Sequence, residues 1–381
     1  MTSFFTDIGS EMIFPLLPIL FADFAGGAAF LGIIEGAADA LSSVLKLYSG
    51  RLADRLPRRK PLVLAGYGLS TLVRPLMAVA ASPWHALAIR LADRTGKGIR
   101  SSPRDALIAD AAEPGAVGRA FGFHRAMDHA GAVVGPLIAT LLLAMGLNVR
   151  PIFWIAIVPG VLAVVALLLV NEAPRENTEP AKPIARSDAP LPRTLKSYLG
   201  ILALFSIGNS SDVFLLLRAR DLRIPLVAIP ALWALLHVSK LLWSTVGGIW
   251  SDRVPRVHLI VAGWLVYAAT YFAFGVADQP WHGWALFIVY GAFYGLSEPA
   301  EKALVKDLAP EEARGTAFGS YNFIVGMASL PAGLLMGALW SWGGHQVALV
   351  VGALIALGSA FLLGVWEKGR ATTGDPSLRS G

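Results

Sequence analysis

The chain contains no cysteine, which removes disulfides, thiolate metal sites and cysteine nucleophiles from consideration. It is also short of charge: only 15% of its 381 residues are Asp, Glu, Lys or Arg, against 55% hydrophobic residues and a mean hydropathy of +0.60. A soluble domain of this size cannot hide that much apolar surface, so the composition is that of a membrane protein. A phosphate-binding loop is missing too. The stretch RTGKGIRSS at 94–102 lacks the Gly-x4-Gly-Lys-Ser/Thr spacing that cradles a nucleotide, and it ends a membrane helix. No cleavable leader is expected, because the apolar run from Ser3 carries acidic residues and continues as an ordinary span. The net charge of +6 falls in short clusters between oily segments, so nucleic acid is not an expected partner.

What remains is apolar length. A helix needs roughly 20 mostly apolar residues to cross about 30 Å of hydrocarbon, and twelve segments qualify: 3–22, 28–49, 61–81, 83–103, 119–145, 150–171, 195–218, 226–248, 257–277, 281–305, 314–340 and 344–366. Lipid offers the backbone no hydrogen-bond partners, and runs this long fit helices, not barrel strands. The expected class is an all-α membrane protein. Lys and Arg concentrate after the even-numbered spans and in the C-terminal tail, for example Arg51, Arg55, Arg58, Arg59 and Lys60, or Arg253 and Arg256. The positive-inside rule then puts both termini in the cytoplasm.

The longest polar stretch, NEAPRENTEPAKPIARSDAPLPR at 171–193, is rich in Pro and charge, as a flexible linker is. It divides the chain into bundles at 1–171 and 195–381 with a cytoplasmic linker at 172–194. The halves repeat. ALIAD (106–110) recurs as ALVKD (303–307) and GRAFG (118–122) as GTAFG (315–319), both at an offset of 197, and Asp54-Arg55 matches Asp252-Arg253 at 198. Duplicated bundles build alternating access, in which two halves rock about a site near the bilayer midplane.

At this point specific motifs carry a resemblance. GRLADRLPRRK (50–60) resembles the loop between helices 2 and 3 of the major facilitator superfamily, with Gly50, Asp54, Arg55, Arg58 and Arg59 on the motif positions. GGIWSDRVPRV (247–257) is similar to its weaker second copy, with Asp252 and Arg253, and GAVVGP (131–136), with Gly131, Gly135 and Pro136, resembles the helix 5 motif of the antiporter branch. The resemblance implies twelve helices in two pseudo-symmetric six-helix bundles, no cofactor, a monomer, and a bacterial inner-membrane transporter. It also implies that the loop aspartates and arginines form a gate latch on the cytoplasmic face, releasing during the cycle. The bland reading of that cluster, a topology signal alone, stays open.

Chemistry is expected where ionisable side chains enter the bilayer, since each is costly unless paired or hydrated. Asp7 and Glu11 lie four apart on one face of helix 1, and Glu35 and Asp39 repeat the spacing in helix 2; with Asp128 of helix 5 these are candidates for proton coupling. Arg74, Asn209, Asp212, His237, Lys240 and Glu298 are candidates for the substrate cavity. Structural ion pairs, Asp39 with Lys46 among them, are the competing use. His124 and His129 are five apart and do not share a helix face, so no metal site is expected. The function expected is proton-coupled export of a small organic molecule, with protons as coupling ion. Uptake or facilitation of an organic anion is the first alternative and an intramembrane enzyme the remote one.

Overall fold

A backbone in hydrocarbon must satisfy its own hydrogen bonds, and the described residues do so in helices. The computed structural model describes residues 1–22, 27–111, 117–172, 191–251, 253–310 and 314–372, and at 22, 51, 54, 55, 109–111, 117–122, 245, 249, 251, 314–316 and 371–372 it describes the backbone alone. In chain order the helices are α1 (Thr2–Phe21), α2 (Gly27–Arg55), α3 (Lys60–Val79), α4 (Pro83–Ala111), α5 (Val117–Ala144) and α6 (Val149–Leu168). The second six are α7 (Arg193–Gly208 and Val213–Asp221), α8 (Leu226–Gly248), α9 (Arg256–Val276), α10 (Pro280–Leu308), α11 (314–343) and α12 (345–372).

Length and apolarity alone select nine of the described segments as spans. The last, Ala317–Arg370, is two helices parted at Gly344. The other two are α4 and α10, both 29 residues long, whose interior charges lower their apolarity. At 1.5 Å per residue each is about 40 Å long, ample to cross and project beyond the lipid. Twelve crossings return the chain to the face it started from, called here the terminal face.

Gly344 holds φ 74° and ψ 179°, a region that only glycine enters without strain. Gly344→Ala is expected to destabilise the protein by about 1–3 kcal/mol, read as a lowered thermal unfolding midpoint in detergent. Prolines interrupt α4 at Pro103, α5 at Pro136, α10 at Pro299 and α11 at Pro331, each removing one helical hydrogen bond.

Within the first bundle α1 packs on α5 and α6, α4 on α2 and α3, and α3 on α6; within the second, α10 packs on α8 and α9, and α12 on α9. Glycines permit these approaches. A side chain at Gly66 of α3 would meet Gly96 and Arg100 of α4, and one at Gly263 of α9 would meet Phe293 and Ser297 of α10. Adding 197 to each of the first three numbers gives the second three, so the repeat holds in packing as well as in sequence.

The bundles join along α2 against α11 and α5 against α8. In the α2–α11 seam, a Cβ on Gly36 would stand 2.7 Å from the Ser329 carbonyl oxygen and one on Gly337 2.8 Å from that of Ala28, while Gly32 and Gly333 face each other closer still. The end of α1 also meets the second segment of α7, and the start of α8 meets α5. These contacts draw the bundles together on the side opposite the termini, where a cavity of about 550 Å³ remains between Pro18, Phe21, Leu31, Leu217 and Trp340. Among the described residues no comparable packing joins α4 and α5 to α10 and α11, and a cleft opens on the terminal face.

Candidate functional site

The first bundle holds a largely buried ionic ladder. The carboxylate of Glu35, 1% exposed, accepts from Arg90 Nε at 2.7 Å and Nη2 at 2.8 Å. Arg90 Nη1 is also 3.4 Å from Asp93 Oδ2, whose other oxygen accepts from Arg74 Nε at 2.8 Å. Arg74 donates its Nη1 to the Thr6 carbonyl at 3.1 Å, tying α3 to α1. Below, Arg94 Nε lies 3.3 Å from Asp39 Oδ1. Such paired, hydrogen-bonded charges are the form in which a bilayer interior tolerates ionised groups.

Sequence spacing places Glu35 and Asp39 on one helix face but leaves their partners open. They are Arg90 and Arg94 of α4, not Lys46. Arg74, expected near substrate, is buried on Asp93. Asp93 itself was missed, although the run Arg90, Asp93, Arg94 has the i, i+3, i+4 spacing of one charged helix face.

Between the bundles stands Glu11. Its Oε2 accepts from Trp233 Nε1 at 2.9 Å and lies 3.7 Å from His237 Nε2, both on α8; its side chain keeps 23% exposure. Phe14, one turn on, packs against Trp233 with ring centres 4.9 Å apart. Asp7 lies in electrostatic reach of Asp128, Glu11, Lys97 and Arg100. Asp128 Oδ2 is 3.5 Å from His124 Nε2, while its Oδ1 is buried with no hydrogen-bond partner among the described residues.

The second bundle answers with aromatics. α7 breaks between Gly208 and Val213, with Asn209 at φ −89° and ψ 82°, so Asp212 enters from an unwound stretch. Its carboxylate accepts from Lys240 Nζ at 2.9 Å, Tyr290 Oη at 2.8 Å and Tyr294 Oη at 2.9 Å. Lys240 also sits 3.6 Å from the Tyr294 ring centre, a cation–π contact. Sequence reasoning singled out Asp212 and Lys240 but neither tyrosine; they follow Asp212 by 78 and 82 residues, a separation that no local pattern connects. Glu298 pairs with Lys302 at 2.6 Å and is 51% exposed at the cleft rim, shallower than expected.

Of the loop residues, the side chains of Asp54 and Arg55 and the whole of Asp252 lie outside the described residues, as does the linker from 173 to 190. Arg58 and Arg253 are exposed, and a Cβ on Gly50 would meet the Ser102 side chain at 3.3 Å. The backbone N–H groups of Arg59 and Lys60 donate to Glu172 at 2.7 and 2.8 Å, an anion at a helix N-terminus that anchors the end of α6. Gly131 and Gly135 let α5 approach the α1 backbone at Phe4 and Ile8, beside the Pro136 interruption. Among the described residues no cluster of His, Cys, Asp and Glu could hold a metal ion.

The family model of the Major Facilitator Superfamily matches residues 1–243 and 219–380. The chain is 33% identical over 370 residues to an uncharacterized MFS-type transporter of Methanocaldococcus jannaschii, covering 95% of this chain and 92% of that one. It is 27% identical to the multidrug resistance protein MdtH of Edwardsiella ictaluri, over 82% of this chain and 78% of that one. In fold it resembles a bacterial homolog of the human lysosomal transporter Spinster in an inward-facing, occupied conformation, with a TM-score of 0.76 and 16% identity over 96% and 95% of the two chains.

Proposed function

The chain belongs to the Major Facilitator Superfamily and is a transporter, not an enzyme; we propose that it exports a small organic molecule from the cytoplasm of a bacterial cell in exchange for protons. The bundles at 1–171 and 195–381 rock about the cleft, both termini are cytoplasmic, and the present conformation is the one open to the cell interior. The observation that carries this reading is Glu11, a part-exposed carboxylate at the bundle junction. Its Oε2 meets Trp233 at 2.9 Å and His237 at 3.7 Å, both of the opposite bundle, while its Oε1 accepts from Ser10 of its own helix at 3.4 Å. A proton arriving on Glu11 weakens that bridge and frees the halves to move; a substrate that displaces the proton restores the charge.

Asp7 and Asp128 stand beside Glu11 as further proton carriers, while Asp39 and Glu35 hold the α4 arginines. Lys240 is taken by Asp212 and Arg74 by Asp93, which favours a cationic or neutral substrate over an anion. The carboxylates, the rings of Phe14, Trp233 and Tyr294, and Asn209 form the surface it would meet. Asp54 with Arg55 and Arg58, and Asp252 with Arg253, form the latch that closes the cytoplasmic side in the opposite state. The likeness to a multidrug resistance protein supports the direction of transport.

The test uses everted membrane vesicles, acid inside, with a quenched pH dye. Addition of ethidium or tetraphenylphosphonium is expected to restore fluorescence in the wild type, and Glu11→Gln is expected to fall to the background of vesicles lacking the protein. Full proton movement in Glu11→Gln would remove Glu11 from the coupling step; a silent wild type with both cations would contradict proton-coupled export of this class.

A further inference from the structure

The second bundle holds a carboxylate that the cleft does not use. Glu301 of α10 is 6% exposed. Its Oε1 accepts from the indole N–H of Trp264 on α9 at 3.0 Å, and its Oε2 from the hydroxyl of Tyr321 on α11 at 2.9 Å. Both donors are neutral. The groups that face it electrostatically are Trp264, Tyr321, Glu298, Lys302 and Tyr198. The one cation in that set, Lys302, is bound to Glu298 at 2.6 Å, and among the described residues no cation lies at ion-pair distance from Glu301. Tyr198, fully buried on α7, has a hydroxyl with no hydrogen-bond partner among the described residues. Phe205, also on α7, stacks flat on Trp264 at 4.2 Å and fixes the indole.

Among the described residues this arrangement differs from that of the other buried acids. Glu35 and Asp93 lean on arginines and Asp212 on a lysine, whereas Glu301 accepts from two neutral donors, one on α9 and one on α11. A permanently ionised carboxylate in such a place lacks the charge partner that offsets desolvation. The repeat adds a second observation. Subtracting 197 from Glu301, Trp264 and Tyr321 gives Arg104, Tyr67 and His124. Arg104 lies in electrostatic reach of Tyr67 on the preceding helix and hydrogen-bonds Asp105 at 2.8 Å. The duplicated position thus carries a cation in one bundle and an acid in the other, and the acid is hydrogen-bonded to the aromatic of the preceding helix.

We propose that Glu301 is a proton-binding site of the transport cycle, lying within the second bundle and one helical turn from the cleft rim at Glu298. This rests on the proton-coupled reading above and names a carrier outside the bundle junction. The proton comes from water at the terminal face, binds one carboxylate oxygen of Glu301, and returns to water when movement of α7, α10 and α11 changes the enclosure; no other bond forms or breaks. The hydroxyl of Tyr198 is placed to take or give a hydrogen bond as the carboxyl gains or loses its proton.

The test is infrared difference spectroscopy of the full-length protein in lipid nanodiscs, acid minus alkaline, following the carbonyl stretch of protonated carboxylic acids. The wild type is expected to show such a band and Glu301→Gln to lose it, while Glu298→Gln keeps it. Trp264→Phe and Tyr321→Phe, which remove one donor each, are expected to shift the band and keep the proposal testable if Glu301→Gln fails to fold. In proteoliposomes Glu301→Gln is expected to retain ethidium exchange at equal pH and to lose accumulation driven by a pH gradient. A spectrum unchanged by Glu301→Gln overturns the proposal even where the wild type couples protons to ethidium. Loss of the band in a protein that moves no protons with either cation refutes the proton-coupled reading and leaves Glu301 a proton-binding group.

Discussion

Asp93→Asn is expected to destabilise the first bundle by about 3–5 kcal/mol, the cost of breaking a buried ion pair from one side. Asp93 lies between two arginines, accepting from Arg74 at 2.8 Å and standing 3.4 Å from Arg90. Among the described residues, neutralising it leaves Arg74 with the Thr6 carbonyl and Arg90 with Glu35 and the Phe14 ring. Both guanidiniums are 8% exposed and lack water to replace what is lost. The measurement is the thermal unfolding midpoint of purified protein, with Arg74→Met/Asp93→Leu as companion. Removing both partners together relieves the orphaned charge, so the double variant should unfold at a higher temperature than Asp93→Asn. Equal midpoints for Asp93→Asn and the wild type would show that the ladder is dispensable.

Gly32→Val is expected to part the bundles on the side opposite the termini. Gly32 and Gly333 pack backbone to backbone, and neighbouring Gly36 and Gly337 leave 2.7–2.8 Å for any Cβ. The obstacle is carbonyl backbone of the facing helix, which cannot turn aside as a side chain can. α2 and α11 must separate, and the face opposite the termini opens. The absence of native cysteine makes the readout clean: a cysteine at Leu20, 3% exposed, should pass from protected to reactive toward a membrane-impermeant maleimide applied from that side. Transport should fall to background, since a carrier that cannot close one gate cannot alternate. Continued protection of Leu20→Cys in the Gly32→Val protein would contradict the role of the seam.

Much of this was legible beforehand, and the reasons differ by element. Ten crossings announce themselves by apolar length. α4 and α10 count as apolar runs at 83–103 and 281–305 in the sequence, yet length and apolarity do not select them among the described helices. There Arg90, Asp93, Arg94 and Lys97 in one and Glu298, Glu301 and Lys302 in the other trade hydropathy for chemistry. The offset of 197 was readable in two pentapeptides and returns in the packing of Gly66 and Gly263. What the repeat conceals is how far the halves have diverged inside. In that register the buried pair Arg74–Asp93 falls on Tyr271 and Tyr290, whose rings lie 6.0 Å apart. At this duplicated position one bundle is held by an ion pair and the other by aromatic faces.

Partner choice was the part that sequence could not supply. Spacing of four puts Glu35 beside Asp39 and Asp7 beside Glu11, yet which cation each meets depends on how α2 and α4 cross and on where α8 lies against α1. Hence Arg94 and not Lys46 meets Asp39. The Glu11–Trp233 contact spans 222 residues and joins an acid to an aromatic that composition would assign to the lipid interface.

The account depends most on the two bundles alternating about this junction. Because the chain is free of cysteine, spin labels can be placed in pairs without prior substitution: Phe123 of α5 with Phe323 of α11 across the cleft, and Val79 of α3 with Trp342 of α11 on the face opposite the termini, all at least half exposed. The distances would be measured in nanodiscs by pulsed electron resonance, with and without ethidium and across a pH step. The account predicts that the first distance shortens as the second lengthens, and that Glu11→Gln uncouples both from pH. Distances that stay fixed while ethidium binds, or that change in the same sense on both faces, would contradict it.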